Sequence, residues 1–144
     1  VPEIYDCMYS ELKGKKFSFI YNKYFLCSGS PLSRETGENF YAVSDIFPCQ
    51  LYGMMEVSTI CVNKKPDQET LTSVGKQISD IEIRYKPTER SGYYEILIRG
   101  ETVSQYYVIN GEKVPAVDNE GWYYTKDIGF IKDENLYLVG RKEK

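Results

Sequence analysis

Residues Gly121 to Lys144 read GWYYTKDIGFIKDENLYLVGRKEK, and the β pattern of this stretch decides the fold. Trp122, Tyr123, Tyr124 and Thr125 favour one strand, and Ile128, Phe130 and Ile131 favour a second. Lys132, Asp133, Glu134 and Asn135 form a polar turn. Leu136, Tyr137, Leu138 and Val139 then make a third strand, which Gly140 ends. Asp127 falls between the first two strands with Gly129 just behind it. A carboxylate at a strand end accepts hydrogen bonds from sugar hydroxyls, and a neighbouring glycine lets the backbone come close. An isolated aspartate so placed also reads as a solvated turn.

Working outward, Ile78 and the alternation Ile81-Glu82-Ile83-Arg84-Tyr85 predict a strand with one face in and one out. Lys86 to Gly92, which contains Pro87, is a turn. Tyr94 to Arg99 returns from it as the second arm of an antiparallel hairpin. Tyr106 to Ile109, Asn110-Gly111 and Val114 predict a further hairpin. From about residue 72 the chain therefore reads as a small distorted antiparallel β barrel or curled sheet.

The first half reads differently. Ile4, Met8 and Leu12, with Tyr5 and Tyr9 alongside, give a helical face over Val1 to Lys13, with Pro2 in the first turn and Gly14 as the stop. Tyr24 to Cys27 is a short apolar strand that runs into the small-residue loop Ser28-Gly29-Ser30-Pro31, where a backbone can approach a ligand closely. Ser33 caps a helix from Arg34 to about Ser44 that turns Phe40 and Val43 to one side. Pro48 to Gly53 is the next strand. Strand, helix and strand with buried apolar strands indicate parallel pairing in an α/β unit. The fold class is thus α/β followed by β, the end of an α/β sheet layer plus the β barrel. Asn63 to Gln68 is the seam, dividing the chain into 1–66 and 67–144.

Composition limits the function. With 18 Lys and Arg against 21 Asp and Glu, and no long basic run, nothing predicts a nucleic-acid surface. Apolar runs fall far short of the ~20 residues of a membrane span, and Val1-Pro2-Glu3 begins no basic-then-apolar leader. Cys7, Cys27, Cys49 and Cys61 form no CxxC pair. Each adjoins an apolar segment, which suits buried, reduced thiols of a cytoplasmic protein. The chain has no histidine, which removes Ser-His-Asp and Cys-His catalysis. Chemistry here falls to carboxylates, a bound cation, or groups outside this chain.

The second informative stretch is Gln50-Leu-Tyr-Gly-Met-Met-Glu56. An aromatic followed by glycine at a strand end offers a face on which a base stacks, and Glu56 is a hard oxygen ligand suited to Mg2+. A packed tyrosine and a solvated glutamate would look the same. The order resembles the Q-x-YG-x-TE motif of the adenylate-forming (AMP-binding) superfamily, which includes acyl-CoA synthetases, luciferases and peptide-synthetase adenylation domains. Gly121 to Arg141 resembles its GW-x-x-T-G-D-(I/L)-G…GR signature. KYFLCSGSPLS (23–33) resembles R-x-x-x-x-GGAPLS, and SVGKQISDIEIRY (73–85) resembles S-x-G-x-P-x-x-x-x-E-x-(R/K). The resemblance spreads over nearly the whole chain.

That resemblance implies an ATP-dependent acid–thiol ligase that makes an acyl-adenylate from a carboxylic acid and transfers the acyl group to a thiol, as an acyl-CoA ligase does with coenzyme A. Tyr52 would stack on adenine, Glu56 would hold Mg2+, and Asp127 and Arg141 would fix the ribose. The backbone at Ser28, Gly29 and Ser30 would border the adenine and acyl pockets. Two residues depart from the pattern. Met55 replaces a threonine whose hydroxyl helps hold the phosphate region, and Lys126 replaces the glycine before the aspartate. No Ser/Thr/Gly-rich phosphate loop ending in lysine appears, nor the lysine of the family's mobile domain. Set against the family, the chain is expected to begin mid-fold and stop at the hinge, at Glu143. It then carries no catalytic residue, is inactive alone, and pairs with itself through exposed strand edges. The alternative is a degenerate, non-catalytic relative that serves as a nucleotide-binding or protein-interaction module.

Overall fold

The computed structural model describes residues 1–15, 24–78 and 80–142. Helix α1 (Pro2–Leu12) packs on helix α2 (Arg34–Ser44). The Ser33 hydroxyl accepts a hydrogen bond from the Thr36 N–H at 3.0 Å, which satisfies one of the orphan donors of the first turn of α2. Phe40 is fully buried between Tyr5 and Phe25, each ring edge-on to it at 4.9 Å. On α1 the inward residue is Tyr5, whose hydroxyl donates to Leu26 O at 2.7 Å. Ile4, expected on that face, is exposed.

Strand β1 (Leu26–Cys27) is shorter than expected but pairs in parallel with β2 (Cys49–Met54), as an α/β unit requires. β2 then turns back as an antiparallel hairpin with β3 (Ser58–Val62), and β3 pairs with β4 (Lys76–Gln77). The segment between β3 and β4 is pinned by Gln50. Its buried amide accepts from Leu32 N at 2.9 Å and donates to Leu71 O and Ser73 O at 3.3 and 3.4 Å.

The hairpin of β5 (Glu82–Pro87) and β6 (Tyr94–Arg99) has the expected pairing, Tyr85 opposite Ile96. β7 (Tyr106–Ile109) and β8 (Glu112–Pro115) form a separate two-stranded hairpin. Its turn has positive φ at both Asn110 (51°) and Gly111 (84°), the requirement of a type I′ turn. β9 (Tyr123–Lys132) and β10 (Asn135–Arg141) complete a four-stranded sheet in the order β10-β9-β6-β5. The sheet is open, so the β part takes the curled-sheet form.

Two expectations for this stretch are corrected. The strands read at 122–125 and 128–131 are one continuous β9. It is paired on one side with β10 as far as Asp127. On the other it pairs with β6, whose register shifts between Glu95 and Leu97 and leaves Thr125, Lys126 and Asp127 as a bulge between its pairs. Gly140 does not end β10, which runs to Arg141 through a bulge between Leu138 and Gly140. The stacked pair Phe130 and Tyr137, centroids 4.9 Å apart and directly opposite in register, holds the β9–β10 arm together.

A large apolar cluster lies between the two sheets, with Tyr52, Ile60 and Cys61 from the first and Ile96, Ile98, Tyr123 and Leu136 from the second. A smaller one gathers Tyr5, Cys27, Leu32, Phe40 and Leu71 under the helices. Cys27, Cys49 and Cys61 are buried, and burial pushes the Cys61 thiol up to about 12. Cys7 is exposed, contrary to expectation, because α1 turns Tyr5 inward. No helix among the described residues is long and apolar enough to cross a membrane.

Candidate functional site

Three of the residues singled out in the sequence meet at one point. The Tyr52 hydroxyl, on β2, donates to Asp127 Oδ2 on β9 at 2.7 Å. The other carboxylate oxygen, Oδ1, lies 3.4 Å from Arg141 Nε on β10. Burial, reinforced by the Asp127 charge, pushes the Tyr52 hydroxyl far above its usual range, so it remains a donor. Only 6 % of Tyr52 is exposed. Its ring belongs to the core, and its hydroxyl is what reaches the site.

Local backbone explains the convergence. Without the bulge in β10 the register would run on unshifted. With it, Arg141 sits directly across from Asp127. Lys126, just before the aspartate, has φ of 64°, the left-handed conformation a glycine adopts without strain. The lysine therefore keeps the backbone turn that a glycine would give. Thr125 braces the bend. Its hydroxyl donates to Ile96 O at 2.7 Å and accepts from Asp127 N at 3.0 Å. Its carbonyl accepts from Arg141 Nη2 at 3.2 Å. Sequence reading gave Thr125 no role, although it lies in the same motif as Asp127.

Gly53, next to Tyr52, is required by close approach. A Cβ there would lie 2.2 Å from Ser58 O across the β2–β3 bulge. This tight turn carries Met55, fully exposed, and the half-buried Glu56. Glu56 Oε1 accepts from the Tyr107 hydroxyl at 2.8 Å, and that hydroxyl lies 2.9 Å from the Tyr123 hydroxyl. Burial works against the Glu56 charge. Together the hydrogen bonds from Tyr107, from the Glu56 backbone N–H and from Tyr123, with the Arg141 charge, outweigh burial, and the carboxyl lies below its ordinary range. Glu56 is therefore ionised and within the field of the same arginine that faces Asp127.

Ser28, Gly29 and Ser30 are exposed in the loop after β1. No described contact links them to the Tyr52–Asp127–Arg141 cluster. Among the described residues no three acidic or cysteine side chains converge as a metal-ligand set. Two grooves, of about 510 and 440 Å3, are lined by the β5–β6 turn region and by residues around Asn63 to Ile78. Neither includes Asp127 or Arg141. Glu143, expected at the hinge, lies outside the described residues.

No protein-family model matches the chain. A long-chain-fatty-acid–CoA ligase, ACSBG2, of Xenopus laevis is 36 % identical over 115 residues, which is 78 % of this chain and 15 % of that protein. A structure of a long-chain-fatty-acid-CoA ligase (FadD1) from Archaeoglobus fulgidus superposes with a TM-score of 0.77 over 99 % of this chain and 33 % of its own, at 24 % identity. The structure of McyG A-PCP complexed with phenylalanyl-adenylate gives the same TM-score over 99 % of this chain and 25 % of that one, at 23 % identity. The chain belongs to the adenylate-forming superfamily.

The chain spans a small part of the adenylate-forming proteins it matches. Within that part the two structural likenesses concern the fold, and the curated likeness is to a CoA ligase. Tyr52 lies in one of the stretches that resemble the superfamily, and Asp127 and Arg141 lie together in another. Tyr52 and Asp127, 75 positions apart, fold to hydrogen-bond distance, and Asp127 and Arg141 to ion-pair distance.

Proposed function

We propose that the chain is the nucleotide-facing part of an ATP-dependent acid–thiol ligase, an acyl-CoA ligase of the fatty-acid type, with coenzyme A as the acyl acceptor. The observation that carries this reading is the junction of Tyr52, Asp127 and Arg141, with Glu56 within the field of the same arginine. A carboxylate oxygen of the acid attacks the α-phosphorus of ATP, the bond to the leaving pyrophosphate breaks, and an acyl-adenylate forms. The thiol sulfur then attacks the acyl carbon and AMP leaves. Catalysis of this kind is mostly positioning and charge neutralisation.

In this reading Asp127 accepts from the ribose hydroxyls and Arg141 donates to several oxygens at once through its planar fork. Tyr52 borders the adenine with the little of its ring that is exposed and holds Asp127 with its hydroxyl. The backbone of Ser28, Gly29 and Ser30 borders the adenine and acyl pockets. Glu56 fits Mg2+, since one ionised and part-exposed carboxylate suits a cation that takes its remaining ligands from water and substrate phosphates. When bound, that ion neutralises phosphate charge. Residues 1–66 supply the pocket loops and 67–144 the ribose side, and the buried cysteines support a cytoplasmic setting. The 144-residue chain alone is proposed to be inactive, because it has no phosphate loop and no lysine of the mobile domain.

One observation favours a second reading, a non-catalytic nucleotide-binding relative. Met55, where the superfamily has threonine, is fully exposed and offers no hydroxyl to a phosphate. Calorimetry of ATP with the chain, its Asp127→Ala form and its Arg141→Ala form tests the shared part. Each substitution is expected to weaken binding about tenfold or more. ATP binding that neither substitution changes would contradict the assignment.

A further inference from the structure

Glu56 is reached by an element to which the superfamily resemblance assigns no task. The β7–β8 hairpin is exposed at every one of its positions and belongs to neither of the larger sheets. Two bonds bring it to the Glu56 turn. Ser104 N, just ahead of β7, donates to Glu56 O at 2.8 Å, and the Tyr107 hydroxyl donates to Glu56 Oε1 at 2.8 Å. The same hydroxyl meets Tyr123 of β9 at 2.9 Å. Main chain and side chain of one residue are thus held by the hairpin and the segment that leads into it, and the hairpin ties them in turn to the strand that carries Asp127.

A hydroxyl fixed between a carboxylate and a second hydroxyl orients the carboxylate and favours its charged form. We propose that Tyr107 is a positioning residue for Glu56. Its hydroxyl holds Glu56 Oε1 at 2.8 Å and so orients the carboxylate toward a divalent cation on the nucleotide phosphates, with Tyr123, 2.9 Å from that hydroxyl, supporting it. This rests on the reading of Glu56 as the cation carboxylate. Outer partners of a metal-ligating carboxylate commonly change metal affinity by 10- to 100-fold when removed. Tyr107 is 37 % exposed, so Tyr107→Phe keeps the ring while deleting only the hydroxyl.

The test uses the chain, Tyr107→Phe and Glu56→Gln, with two readouts. The first is the titration of the Glu56 carboxyl followed by carbon-13 NMR, assigned by its loss in Glu56→Gln. The second is ATP affinity with and without Mg2+. Tyr107→Phe is expected to move the Glu56 titration up toward the ordinary glutamate range. It should also lower the Mg2+-dependent gain in ATP affinity about tenfold while Mg2+-free affinity stays the same. An unmoved titration, or a full Mg2+ gain in Tyr107→Phe when Glu56→Gln has lost it, overturns the role of Tyr107. A full Mg2+ gain in Glu56→Gln itself overturns the cation reading of Glu56, and the inference with it.

Discussion

At the scale of single residues, the site depends on backbone positions as much as on its charged groups. Tyr52 stands next to the β2–β3 bulge, in which Ile60 of β3 is the extra residue, and at Gly53 Ser58 O leaves no room for a side chain. Gly53→Ala should therefore lower stability by about 3 kcal/mol, read as a fall in the urea midpoint with an unchanged slope. A midpoint within error of the parent would show that the turn relaxes freely and that the close approach is not what shapes it. Asp127 and Arg141 were legible as a pair from their motif. Tyr107 was not, because its partner Glu56 lies 51 positions away in sequence and a tyrosine on an exposed hairpin carries no local sign of a partner. Thr125 was hidden for a related reason. Its work is done through the backbone of its neighbours.

At the scale of elements, local signals were read correctly where they were self-sufficient. The Ser33 cap, the Asn110-Gly111 turn and the alternation in β5 each specify structure within a few residues. The misreadings came where partners decide. Asp127 and Gly129 look like a break, yet β9 passes through it as a bulge, with β6 paired on both sides and β10 paired as far as Asp127. β3 and β4 went unread because β4 is two residues long and exists only by pairing with β3. Helix α2 shows how much one side chain can carry, since Phe40 joins α1, β1 and α2 in the smaller core. Phe40→Ala should cost about 3–5 kcal/mol and melt the helical half before the β9–β10 arm. A thermal transition unchanged from the parent would contradict that placing of the core.

At the scale of the whole molecule, apolar surface stands open. Tyr106, Val108 and Ile109 on the β7–β8 hairpin are exposed, as are Leu26 of β1 and Val139 near the end of β10. β5 and β10 are the outer strands of the second sheet, β10 being bridged to Gly75 at Leu136, and an open edge such as that of β5 beside apolar surface favours association. The chain should sediment as a dimer or larger species at roughly tens of micromolar, and a single monomer boundary would contradict this. The central claim concerns what the junction of Tyr52, Asp127 and Arg141 does in the intact protein. Its most direct test is pyrophosphate release by that protein with ATP, Mg2+ and a panel of fatty, aryl and amino acids, with Asp127→Ala alongside. Release with one acid class, lost in Asp127→Ala while the variant stays folded, is the predicted result. No release with any acid from a folded protein would contradict the account and leave the nucleotide-binding relative in its place.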